Sequence, residues 1–133
     1  KNKAEFSTDI AGAYPEAAAV QEWVRSYRLD RNKRFVIRDE YQLKEVKDEP
    51  TTLNFVTYCK VTKKAPGMLH LQGDGFALDM EYKQKKAEPG IELHEVTDRG
   101  LRRYWPDGIT RIVFTLKDHG EKGKNEIVMT ETK

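Results

Sequence analysis

One cysteine, Cys59, stands among 133 residues, so no internal disulfide can form and the fold must rest on packing and hydrogen bonds. A lone cysteine also excludes a cysteine-based zinc site. No apolar stretch approaches the ~20 residues that a membrane-spanning helix needs. Neither sign of charge dominates: 24 basic against 22 acidic residues leave +2, not the basic excess of a nucleic-acid-binding domain. His70, His94 and His119 lack the HExxH-type spacing of a metal site, and each reads as a surface histidine. Gly73-Asp74-Gly75 leads into a strand-like segment, not a helix, so it reads as a turn and not as a phosphate loop. No metal or other cofactor is expected.

What the chain has in quantity is period-two alternation. In Phe35–Leu43, Phe35, Ile37, Tyr41 and Leu43 share one parity, while Val36, Arg38, Glu40 and Gln42 share the other. Side chains alternate across a strand, so this gives one dry face and one wet face. The same pattern runs through Trp23–Leu29, through Leu53, Phe55, Thr57, Cys59 and Val61, through Phe76–Tyr82, and through Ile109–Leu116. Residues 1–8 read as an edge strand or a linker. Pro15 suits the first position of a helix reaching to about Gln21, with three alanines behind Glu16. Turns are expected at Arg31–Arg34, Lys63–Gly67, Gln72–Gly75, Ala87–Gly90 and Asp118–Lys124, with a charged connection at Lys47–Pro50 and a longer loop at Thr97–Asp107.

The expected fold is therefore all-β: an antiparallel sandwich of about eight or nine strands with one short N-terminal helical turn. A closed barrel is the alternative. Length suits a single domain over 1–133. The chain opens on Lys1 without a methionine, as expected of a fragment of something longer or of a processed chain.

Four features invite a functional reading. Tyr104 and Trp105, beside Arg102 and Arg103, form the best surface candidate: rings stack on sugar faces and arginines pair with carboxylate or sulfate. The alternative is that Trp105 plugs one end of the sandwich and the arginines are solvated. Asp39 falls on the dry parity, where a carboxylate needs a bulge, an amide or an arginine, or else serves a ligand. Arg25, Arg28, Arg31, Lys33 and Arg34 form a basic cluster diluted by Glu22, Asp30 and Glu40, suited to a solvated edge or else to an anion-facing or interdomain surface. Cys59 shares the parity of its apolar neighbours and reads as a small buried thiol, the alternative being a reactive thiol, for which the sequence offers no helix terminus or histidine partner.

Taken together, Asp9–Pro15, Val20–Ser26, Phe35–Leu43 and Gly108–Phe114 resemble the C-terminal β-rich region of heparinase II/III-like polysaccharide lyases. The resemblance implies the trailing β-sandwich of a longer chain, packed on an N-terminal α/α toroid and earlier β-domains. Such lyases cleave acidic, uronate-containing polysaccharides by β-elimination, and their catalytic Asn, Tyr and His residues lie outside this region. No position here matches those motifs, so no catalytic residue is assigned and the domain is not expected to turn over substrate alone. The resemblance further implies a secreted or periplasmic parent. Its expected partners are the catalytic domains of the same chain and an acidic polysaccharide. The rival readings are an independent carbohydrate-binding module and a protein-interaction sandwich.

Overall fold

The computed structural model describes residues 2–117 and 120–132, so the expected surface position of His119 lies outside the described residues. The alternating segments become strands β1 (Lys3–Asp9), β2 (Val20–Asp30), β3 (Arg34–Leu43), β4 (Thr52–Thr57), β5 (Lys60–Ala65), β6 (Met68–Gln72), β7 (Ala77–Tyr82), β8 (Ala87–His94), β9 (Ile109–Leu116) and β10 (Lys122–Thr132). A seven-stranded sheet runs β1-β2-β3-β10-β7-β6-β5, and a three-stranded sheet runs β4-β9-β8. Every strand pairing is antiparallel. The expected all-β, sandwich-like fold is what forms.

The sheets share one core. Trp23, Tyr41, Leu69, Met80 and Ile127 of the large sheet meet Leu53, Ile112 and Phe114 of the small one. The Phe114 ring lies 5.3 Å from Tyr82, and Arg25 of β2 sits 5.7 Å over the Phe55 ring of β4. Strands are spaced by about 4.8 Å, so seven span about 29 Å between outer strands and three only about 10 Å. The small sheet cannot cover the large one, and the inner face of β1 and of the β2–β3 hairpin end is left open.

Several expectations are corrected. The helix expected from Pro15 to about Gln21 is a single 3-10 turn, Glu16–Ala18, ended by Ala19 at φ 52°. Sheet pairing overrides the alanine propensity there: Val20 pairs with Leu43, and the Lys44 N–H donates to the Ala19 carbonyl at 2.7 Å. The single strand expected over Leu53–Val61 is two strands in different sheets. Thr57 Oγ1 accepts from the Cys59 N–H at 3.1 Å, and the chain bends across the sandwich at Tyr58-Cys59. Both inner faces look onto one core, so the dry parity survives the crossing and Cys59 is buried.

Ala87–Gly90 is strand, not turn; the reversal sits at Lys83–Lys86, where Lys83 carbonyl accepts from the Lys86 and Ala87 N–H groups. Pro89 is tolerated because β8 is an edge strand. The Lys63–Gly67 turn narrows to Pro66-Gly67, with Gly67 at φ 76°. Of the expected Asp118–Lys124 turn, Lys122–Lys124 belongs to β10. Val36, on the wet parity, is buried in register with Arg28 and Val128.

Candidate functional site

The loop after β8 carries the four residues singled out for glycan contact. Its first turn is a short helix, α1 (Arg99–Arg102), capped by Asp98, whose carboxylate accepts from the Leu101 N–H at 2.9 Å. Tyr104 and Trp105 N–H groups both donate to the Leu101 carbonyl at 3.0 Å, coiling the chain tightly behind the helix. Gly108 closes the loop at φ 90°, where a Cβ would lie 2.6 Å from the His94 carbonyl oxygen. Tyr104 is 72% exposed, whereas Trp105 is half-buried. Their rings are 6.4 Å apart and inclined by 59°, so they form a notch and not a flat platform. Arg102 and Arg103 are exposed and make no ion pair among the described residues. Trp105 lies outside the hydrophobic core. Beside this loop, Tyr58, Ile91, Leu93, Asp107 and Gly108 line a cavity of about 610 Å³.

Asp39 takes the arginine option. It is 1% exposed; Arg25 Nε donates to Oδ1 at 2.7 Å and Nη2 to Oδ2 at 3.3 Å. Trp23 Nε1 donates to Oδ1 at 2.7 Å. Burial works hardest against the Arg25 charge, yet the Asp39 hydrogen bonds and attraction, with a smaller contribution from Tyr27, outweigh it and hold the guanidinium protonated. Across the ladder Asn125 stands in register with Asp39, 6% exposed, with neither amide atom partnered among the described residues.

The remaining charged features dissolve into local pairs. Arg28 and Arg34 both reach Asp30 and Arg25 reaches Asp39, so three of the five basic residues of the cluster are paired, while Arg31 and Lys33 stay exposed. On the outer face of the large sheet Asp79 accepts from Lys64 and holds His70 Nδ1 at 2.8 Å. The Lys64 hydrogen bond first, then that of His70, hold the Asp79 carboxyl below its usual range. His94 is exposed and sits 3.3 Å from Glu92.

A further surface forms on the overhang. Phe6 and Tyr27 stack at 4.9 Å and 17°, and Tyr27 and Phe35 at 6.0 Å and 21°. Phe6 is 62% exposed, and Leu29 beside it is exposed too. The dry parity of Tyr27, Leu29 and Phe35 is visible in the sequence. Which part of the dry face stays uncovered is not, because it depends on the width of the opposing sheet. No family model matches this chain, and no curated protein matches it. The class it shows is therefore that of its fold: an antiparallel β-sandwich with a partly open aromatic sheet face.

Proposed function

We propose that this chain is a noncatalytic β-sandwich domain that braces the catalytic domains of a heparinase II/III-like lyase acting on acidic, uronate-containing polysaccharides. The observation that carries the reading is the uncovered aromatic face of Phe6, Tyr27, Leu29 and Phe35. An exposed apolar patch on an otherwise heavily charged surface is what a packed neighbouring domain leaves when it is absent. The four sequence patches supply the identity of that neighbour, an α/α toroid earlier in the same chain. A secreted or periplasmic parent belongs to the same reading.

The gene is the first test: an in-frame α/α toroid upstream is expected, and its absence overturns the reading. The second test uses the full-length protein. Phe6→Ser with Leu29→Ser should cost the whole enzyme clearly more than the isolated domain, where only the Phe6–Tyr27 stack and part of the Leu29 burial are lost, about 1–2 kcal/mol. Equal loss in both would place these side chains in the domain's own core.

One observation favours a second reading, a carbohydrate-binding module: an exposed Tyr104 next to Arg102 and Arg103, which are exposed and form no ion pair among the described residues. Under it, Tyr104→Ala and Arg103→Ala each weaken retention on an acidic polysaccharide at low salt, without a change in thermal midpoint.

A further inference from the structure

We propose that β1 is a self-pairing edge: two copies join their seven-stranded sheets by antiparallel pairing of Lys3–Asp9 with itself, centred on Phe6. The proposal does not depend on the lyase reading. The ladder uses the outward N–H and C=O groups of β1 and not its inner face; Phe6 is the one side chain that lies at both surfaces.

Among the described residues β1 pairs with β2 alone, over seven residues, in unbroken register and without a proline. The Arg31 N–H donates to the Asn2 carbonyl and the Ile10 N–H to the Trp23 carbonyl. Hydrogen-bonded positions alternate in an antiparallel pair, so even-numbered residues turn towards β2. Lys3, Glu5, Ser7 and Asp9 then turn their N–H and C=O groups outward, with no strand partner among the described residues.

An outward-facing residue must meet another outward-facing residue, which restricts the symmetric registers. With Phe6 opposite Phe6, all seven residues pair. Lys3 then stands opposite Asp9 of the second copy at both ends, and Glu5 stands opposite Ser7. A shift of two residues one way sets Glu5 opposite Asp9; the other way sets Glu5 opposite itself. Both oppose like charges and shorten the ladder, so charge selects the Phe6-centred register. The Asp9 side chain stays available: Oδ1 accepts from the Ala11 and Trp23 N–H groups, leaving Oδ2 for the incoming lysine, which gives up its solvent-exposed pair with Glu5 of its own strand to reach it. At the centre Phe6 meets its copy at a non-hydrogen-bonded position, where side chains approach most closely.

The other edge of the same sheet is built the opposite way. β5 carries Lys60, Lys63 and Lys64, all of one sign, breaks register between Lys63 and Ala65, and ends at Ala65 with Pro66 directly after it. Those are the devices that stop an edge from pairing.

Sedimentation velocity across a wide protein concentration range tests the proposal. A concentration-dependent monomer–dimer equilibrium is expected for the wild type. Ser7→Pro removes an outward N–H that β2 does not use, and should be monomeric throughout, with the thermal midpoint that the wild type shows when dilute enough to be monomeric. Ser7→Glu opposes Glu5 and should weaken the dimer roughly tenfold at low salt, whereas Ser7→Lys should tighten it by a similar factor. A wild type that stays monomeric at the highest concentration overturns the proposal. So does a dimer that persists in Ser7→Pro. If the proline variant fails to fold, equal dimer affinity of the glutamate and lysine variants overturns it.

Discussion

Asp39 shows how one side chain can be legible in type and not in partner. Its wet character on a dry parity announces that something must compensate it; the structure supplies Arg25 and Trp23. Trp23 and Arg25 share the parity of Tyr27 on the neighbouring strand, so the signal was present, but only the β2–β3 register sets Arg25 opposite Asp39. Asp39→Ala leaves the Arg25 charge and the Trp23 N–H without their acceptor. A loss of about 3–5 kcal/mol is expected, measured by urea unfolding. Asp79 gives a pH prediction. Its folded carboxyl is held below the usual value by Lys64 and then His70, so its contribution is complete above about pH 5 and fades as pH falls through the unfolded value near 3.9 and on to the folded one. The thermal midpoint of the wild type should therefore drop more between pH 5 and pH 3 than that of Asp79→Asn. A parallel drop in both would remove Asp79 from the acid sensitivity.

At the scale of elements, alternation located nearly every strand and misjudged where strands end. The Leu53–Val61 run keeps one parity through a change of sheet, because both inner faces share one core. Pro89 suggested a turn, but an edge strand can spare the N–H that proline lacks. The loop holding Arg102, Arg103, Tyr104 and Trp105 depends on the closing glycine. Gly108→Ala forces a Cβ against the His94 carbonyl at positive φ and should cost about 2 kcal/mol. Calorimetry reads the loss, and tryptophan emission should redden if Trp105 becomes more solvated. A neutral substitution would show that the turn relaxes freely.

For the whole molecule the deciding fact is unequal width. Three strands cannot cover seven, so Phe6, Tyr27 and Phe35 form a stacked, half-open floor beside the core. A hydrophobic dye should bind the native protein there. Phe6→Ser with Leu29→Ser should abolish that binding while leaving the far-ultraviolet spectrum intact. Dye binding that survives the pair would move the open apolar surface elsewhere, to the cavity beside Ile91 and Leu93.

Local chemistry determined by itself the strand content, the antiparallel class, the burial of Cys59 and the need for a partner at Asp39. These follow from side-chain alternation and from the cost of burying charge, both of which act within a few residues. Tertiary structure alone decided the division into seven and three strands, the crossing at Tyr58-Cys59, the arginine that meets Asp39, and the aromatic face left open. Each depends on which strands become neighbours. That choice is made by contacts between residues far apart in the chain, which no local period records.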